Sequence, residues 1–205
     1  MAHSPMPLLT QQYYHIYNRG INACPIFTEH SNYEHFLRLY DKYISPIAET
    51  YAWVLLGNHF HLLVRIKKQD EIISNLEGLE NLRGLNIEKR INQQFSNLFN
   101  AYSKAFNKRN QRTGSLFEHP FKRKLIDSKE YLRSVIIYIH NNPVHHGFCE
   151  SPIEYAWSSY LTCLSDRDTS LMREQVRSWF DDLHHFKQYH LENKQVINLT
   201  NWFEN

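Results

Sequence analysis

The sequence has few cysteines, no long apolar run and almost no net charge. Its three cysteines are widely spaced and form neither a disulfide framework nor a zinc-binding pattern, which favours a reducing compartment. No stretch of 18 apolar residues is present, and the first residues lack the basic and apolar regions of a signal peptide. We therefore expect a cytoplasmic protein without a membrane segment. The net charge of +2 does not by itself indicate a nucleic-acid-binding protein.

Length and composition indicate one main folded domain. The chain has 205 residues, of which 42% are hydrophobic and 14% aromatic, and this is enough to bury a core. Regular patterning weakens near residue 150, and amphipathic helical patterns return only near the end of the chain. We predict a domain over residues 1–150 and a C-terminal helical extension over residues 151–205.

The order of the periodic segments predicts the fold class. Apolar residues recur at a period of two in strands and of about 3.6 in helices, and both periods occur here. The order strand, helix, strand, strand, helix, strand, helix indicates an α+β fold, a ferredoxin-like antiparallel sheet with helices on one face. In chain order the segments are a strand at 13–20, a helix at 31–44 capped by Ser31, strands at 49–56 and 59–67, a helix from about 87 to 108, a strand at 121–127 and a helix at 128–141 that ends before Pro143.

Two histidines stand at the start of the third strand, "HFHLLVRIK". Side chains two residues apart share a face of a strand, so His59 and His61 point away from the core side, to which Phe60 belongs. Two imidazoles fixed on one face of a sheet suit a divalent metal ion. The alternative is a pair of half-buried histidines that only make hydrogen bonds.

A second group of candidates lies in "YLRSVIIYIHNNPVHHGF". Tyr138 and Asn142 are four residues apart and therefore share one face of the predicted helix, near its end. Tyr131 lies on nearly the same face, but Val135 follows it at the spacing where Tyr138 has Asn142. A phenol can attack a phosphodiester when a cation polarises the phosphate. With an amide oxygen as a third donor, the residues predict a DNA nicking and joining site. The alternative for Tyr138 is a packing role.

Basic residues concentrate between positions 104 and 124, where phenylalanines interrupt them. Such alternation suits phosphates and unstacked bases, although a solvated helix end and loop would have the same composition. The cations of this stretch are Lys104, Lys108, Arg109, Arg112, Lys122, Arg123 and Lys124.

Several motifs in a fixed order resemble a known family. These are "YYHIYNRG", "WVLLGNHFHLLV", "GSLFEHPFKRKLID" and "YLRSVIIYIHNNPVHHGF" followed by "YAWSSY". Over roughly residues 10–160 the chain resembles the single-tyrosine HUH transposases, and most closely the REP-associated tyrosine transposases.

The resemblance implies a function and a set of site residues. It implies an enzyme that uses Mg²⁺ or Mn²⁺ to cleave single-stranded DNA near a hairpin, through a 5′-phosphotyrosine intermediate, in the cytoplasm and associated with the nucleoid. His59 and His61 would then be metal ligands, Tyr138 the nucleophile and Asn142 the third metal ligand, where other members have glutamine. Arg19 and Arg65 join the basic stretch as candidates for phosphate contact.

The sequence leaves three alternatives open. A catalytically silent protein that binds hairpin nucleic acid could keep the same fold, and a metallophosphoesterase could use water in place of tyrosine. The protein could act as a monomer or as a homodimer that exchanges its tyrosine helices.

Overall fold

A four-stranded antiparallel sheet lies at the centre of the computed structural model, which describes residues 6–78 and 85–192. The strand order is β2-β3-β1-β4, the order of a ferredoxin-like sheet. The predicted α+β class is confirmed. The strands are β1 (Tyr13–Arg19), β2 (Ala48–Leu56), β3 (His59–Ile66) and β4 (Lys122–Ile126).

Seven α-helices accompany the sheet in the described residues. None of them is long and apolar enough to cross a lipid bilayer. They are α1 (His30–Tyr43), α2 (Gln69–Asn75), α3 (Ile87–Arg109), α4 (Lys129–His145), α5 (Tyr160–Leu164), α6 (Arg173–Ser178) and α7 (Leu183–Glu192), with short 3₁₀ turns at Ile21–Ala23 and Pro152–Glu154.

Two helix ends differ from the sequence prediction. Helix α1 begins two residues earlier than expected, with Glu29 instead of Ser31 at its N-cap, and Asn32 Oδ1 accepts hydrogen bonds from the backbone N–H groups of Thr28 and Glu29. Helix α4 continues through Pro143, where we expected it to end. Burial on both sides offsets the backbone hydrogen bond that proline removes, and the helix is closed by His146 N donating to Asn142 O at 3.1 Å.

Alternating side chains divide the sheet between two cores. On the first face, Tyr14 and Ile16 of β1 and Phe60 of β3 pack with α1 and α3 in one apolar cluster. The register that pairs Ile16 with Leu62 puts these side chains on the same face. This face has the two helices that the ferredoxin-like prediction requires.

The second face carries α4 and the C-terminal helices. Val54 of β2 and Leu63 of β3 pack there with Val135 and Ile139 of α4 in a separate cluster. The expectation of helices on one face is therefore wrong for α4. Its middle, residues 135–139, is apolar on all sides, so periodicity could not indicate which face of the sheet it covers.

Residues 151–192 close the outer edge of β2. Ser158 pairs with Val54 and Leu171 with Thr50, and Leu55 N donates to Trp157 O at 2.9 Å. The predicted boundary at residue 150 stays a prediction, and residues 193–205 of the predicted extension lie outside the described part of the chain.

Candidate catalytic site

The tight connection from β2 to β3 presents both histidines of the HxH motif on the second face of the sheet. Gly57 and Asn58 form the turn, and β3 begins at His59. His61 is only 3% exposed, and its ring centroid lies 5.2 Å from that of His59, nearly perpendicular to it. The alternation predicted from the sequence thus places the two imidazoles side by side, with Phe60 between them in the opposite core.

Helix α4 brings Tyr138 and Asn142 to the same place. The Ser128 side chain caps this helix by accepting from Tyr131 N. The Tyr138 ring lies edge-on to His61 with centroids 5.3 Å apart, and Asn142 Oδ1 lies 3.1 Å from His59 Nε2. The structure therefore brings together all four residues that the resemblance implies for the site.

The hydrogen bonds of His59 bear on whether the site suits a cation. Burial lowers the pKa of His59 to about 4, so the imidazole is neutral and carries one N–H. Both ring nitrogens nevertheless face amide oxygens, with Asn58 Oδ1 2.7 Å from Nδ1 and Asn142 Oδ1 3.1 Å from Nε2. Without a metal, one of the two amides has to turn over and donate. A cation held by Nε2 and Oδ1 instead leaves Nδ1–H to donate to Asn58.

His61 has a partner that the sequence analysis did not assign. Its Nδ1 lies 3.0 Å from Nε2 of His15, and in the described residues its own buried Nε2 has no hydrogen-bond partner. Burial, with Lys124 nearby, lowers the pKa of His15 to about 3, and burial holds the pKa of His61 well below its usual value. Neutral imidazoles are the form that binds metal, and a fixed hydrogen bond on one nitrogen leaves the other available.

The donor set fits a divalent cation only if the amide takes part. No group of three or more His, Cys, Asp or Glu side chains in the described ranges is arranged to hold a metal ion. Donor atoms of adjacent ligands around an octahedral Mg²⁺ are about 3.0 Å apart, from a metal–oxygen distance of about 2.1 Å. The 3.1 Å between His59 Nε2 and Asn142 Oδ1 is close to that separation.

Tyr138 is enclosed. Only 2% of the residue is exposed, and its hydroxyl oxygen is buried. A cavity of about 710 Å³ opens over His59 and His61, but Tyr138 and Asn142 are not in its lining. In this structure, therefore, the phenol does not face the cavity.

Tyr131, the other candidate on α4, lies in a different setting. Lys124 stands over its ring at 5.6 Å, and burial raises the pKa of Tyr131 to about 12. Its neighbour at the spacing of Asn142 is the buried Val135, which offers no donor atom. Of the two candidate tyrosines on α4, Tyr138 is therefore the one next to the histidine pair.

The predicted basic residues separate into groups. Arg19 and Lys122 line the cavity, and Arg19 makes an ion pair with Glu118 at 3.0 Å. Lys124 shares the site face of β4 with Lys122. Arg65 also lies on the site face, but it is four residues from His61, roughly 13 Å along the strand, and pairs with Glu49.

The remaining cations lie away from the histidines. Arg123 points to the first face, where it donates to Asn92 of α3 and stacks on Phe121. Arg109 pairs with Glu29, and Arg112 donates to Asn107. The cations that belong to α3 or follow it, on the far side of the sheet, are Lys104, Lys108, Arg109 and Arg112.

Sequence reasoning missed several residues of the cavity. His146 packs against His59 with ring centroids 4.8 Å apart, and Tyr17 stacks on His15. A usable signal existed for β1, because Tyr13, His15 and Tyr17 alternate onto one face. No signal identified Asn58, whose role depends on the turn geometry.

Comparison with known proteins gives the fold. No protein-family model matches the chain, and no curated protein matches it in sequence. One solved structure, described as a REP-associated tyrosine transposase bound to a REP hairpin, is similar with a TM-score of 0.57 and 15% sequence identity. The match covers 81% of this chain and 87% of that one. The chain therefore has the fold of that tyrosine transposase.

Proposed function

We propose that the protein is a metal-dependent endonuclease and strand transferase for single-stranded DNA. The observation that carries the proposal is the meeting of His59, His61, Asn142 and Tyr138, from two separate elements, on one face of the sheet. The structural neighbour binds a REP hairpin, and we propose DNA with a hairpin as the partner here. Such a protein would work at the nucleoid.

The site residues have distinct roles in this proposal. His59, His61 and Asn142 hold Mg²⁺ or Mn²⁺, which when bound polarises the scissile phosphate. His15 fixes the ring orientation of His61. Arg19 and Lys122, in the cavity wall, contact the DNA backbone.

Tyr138 is the nucleophile. Its phenolic oxygen forms a bond to phosphorus while the bond from phosphorus to the 3′ oxygen breaks. The phenolic proton leaves to solvent, and the freed 3′ oxygen takes up a proton. The product is a 5′-phosphotyrosine that a second 3′-OH can attack, so strands can be rejoined.

A second candidate function is supported by the burial of Tyr138. A protein that only binds hairpin nucleic acid needs no mobile tyrosine, and here the hydroxyl is closed off from the cavity. The cations at the cavity mouth serve binding in either case.

Labelled single-stranded hairpins from the flanks of the protein's own gene test the proposal. They are incubated with Mn²⁺ or with chelator, and covalent adducts are scored on denaturing gels. We expect an adduct from the wild type with Mn²⁺, none from Tyr138→Phe, and an adduct from Tyr131→Phe, the matched control on the same helix. DNA binding should survive in both variants.

The other outcomes separate the alternatives. An adduct that survives Tyr138→Phe assigns the nucleophile elsewhere, first to Tyr131. Cleavage without any adduct indicates attack by water. Binding with a steep salt dependence and no cleavage of any hairpin favours the silent binding protein.

A further inference from the structure

Helix α4 is buried on two opposite sides in its middle turns. Tyr138 and Asn142 share the side that faces the histidine pair, because residues four apart lie one above the other. His140 lies two residues from each of them, about 200° around the helix, and is therefore on the back. It is fully buried there. A buried polar residue behind two site residues needs an explanation, since leaving it without partners would be costly.

His140 is the centre of a chain of hydrogen bonds. Its Nδ1 lies 2.9 Å from Nε2 of His190 on α7, and its Nε2 lies 2.8 Å from Oγ of Ser159. His190 Nδ1 lies 2.7 Å from the carbonyl oxygen of Phe186, and Ser159 Oγ lies 2.9 Å from Trp53 N on β2. The chain thus joins the sheet, the back of α4 and α7.

Only one arrangement of protons satisfies the whole chain. The Phe186 carbonyl can only accept, so His190 carries its proton on Nδ1 and accepts at Nε2. His140 therefore donates from Nδ1 and accepts at Nε2 from the Ser159 hydroxyl, which lies 2.8 Å from Nε2 and 3.3 Å from its other acceptor, the Trp53 carbonyl oxygen. The Ser159 oxygen in turn accepts from Trp53 N–H. Burial keeps both rings neutral, since it lowers the pKa of His190 to about 4 and that of His140 well below its usual value.

A second contact ties the same two helices together. Asn141 Nδ2 donates to the backbone oxygen of His190 at 3.0 Å. The rings of Phe186 and Tyr160 pack against His140, and the hydrogen-bonded side chains have no solvent exposure. A satisfied polar chain in an apolar setting specifies one arrangement, because any rotation of α4 breaks hydrogen bonds that nothing replaces.

We infer that His140, Ser159 and His190 are positioning residues that set the rotation of α4, so that Tyr138 and Asn142 face His61 and His59. The segment after residue 150 then belongs to the architecture of the site. The inference rests on the proposed function.

Variants of α7 test the inference in the full-length protein. His190→Leu removes the hydrogen bonds, and His184→Leu alters an exposed histidine of the same helix as the matched control. His190→Gln keeps a donor for Phe186 and an acceptor for His140. Ser159→Ala interrupts the other end of the chain with little change in volume, and serves if His190→Leu does not fold.

The expected result separates positioning from simple stability. At a temperature where every variant is folded, His190→Leu should form the Tyr138 adduct at least about tenfold more slowly at saturating DNA, because a small displacement at the reacting atoms is costly. Its dissociation constant for the hairpin should change less than about twofold. His190→Gln should recover part of the rate, and His184→Leu should match the wild type. A lower melting temperature with an unchanged rate would overturn the inference.

Two measurements decide the matter if the wild type forms no adduct, in which case the proposed function itself fails. Nitrogen-15 spectra should show His140 and His190 protonated on Nδ1. A proton on Nε2 of either ring would overturn the proposed chain of hydrogen bonds, and the inference with it. Amide hydrogen exchange across residues 138–142 should be at least about tenfold faster in His190→Leu than in His184→Leu. Equal exchange would overturn the positioning role.

Discussion

The two faces of the sheet use the same strands for different purposes. On the first face, Phe60 packs against Phe36, Phe99 and Phe117 in an apolar core. On the second face, the apolar cluster around α4 is accompanied by buried histidines and amides, such as His61 and Asn142. The first face is stabilised mainly by apolar burial, with a few hydrogen bonds such as that from Arg123 to Asn92. On the second face, the buried imidazoles of His59 and His61 each contact a particular polar partner. Geometry is therefore specified most tightly where the candidate chemistry lies.

The largest expected effect belongs to the first face. Phe60→Ala should lower the free energy of unfolding by about 3–5 kcal/mol, because it removes a fully buried ring and leaves a cavity. Urea unfolding measures this. The metal affinity of the folded variant should stay unchanged. A decrease of less than about 1 kcal/mol in the free energy of unfolding would mean that neighbouring side chains move in and fill the cavity.

Low pH should reduce the stability of the fold through the second face of the sheet. The pKa of His190 is about 4 in the fold against an ordinary 6.5, so between these values the unfolded chain binds a proton that the folded chain does not. Its contribution is fully present above pH 6.5 and is lost as the pH falls to 4, an expected loss of about 3 kcal/mol.

Urea unfolding at pH 7.5 and pH 4.5 measures this difference. The buried His140 titrates in the same direction and adds to it. His190→Gln serves as the control, since it should have a shallower dependence on pH. An equal dependence in both proteins would contradict the assignment to His190.

Two adjacent residues of β1, which point to opposite faces of the sheet, test which face contributes to metal binding. His15→Leu should weaken Mn²⁺ binding about 10–100-fold in calorimetry, because His61 loses the partner that fixes its ring. Tyr14→Phe, on the other face, should not change it. His15→Gln offers an acceptor and should recover part of the affinity, and identical affinities in all three would exclude a role for His15.

Adjacent residues of β4 provide the finest comparison. Lys122→Ala should reduce the slope of log affinity for hairpin DNA against log salt by about 0.7–1, which corresponds to one lost phosphate contact. Arg123→Ala should leave the slope unchanged, because that guanidinium contacts Asn92 on the other face. Binding titrations at several salt concentrations measure both, and the reverse result would place the DNA against α3.

The sequence predicted the order of strands and helices along the chain, the helix over residues 87–108 and the face of β3 on which His59 and His61 lie. These follow from local periodicity. The position of α4 could not be predicted from periodicity, because the middle of this helix is buried on both sides and lacks a polar stripe. The basic stretch predicted one surface, but the turn between α3 and β4 divides its cations between the two sides of the sheet.

The partners within the site depend on contacts between distant residues. His15 meets His61 only because the register of β1 and β3 pairs Tyr17 with His61. The chain of hydrogen bonds from Trp53 through Ser159 and His140 to His190 joins residues that are separated by more than half of the sequence. No local pattern contains such pairings, and the roles of the site residues stay predictions.

The edges of the sheet are protected in two different ways. The edge of β2 is covered by residues 157–172 of the same chain. In the described residues the outer edge of β4 has no strand beside it, and Lys122 and Lys124 stand along it. Positive charge on an open edge discourages other strands from joining it. This protection is electrostatic and weakens as salt screens it, so self-association at high ionic strength should begin at β4.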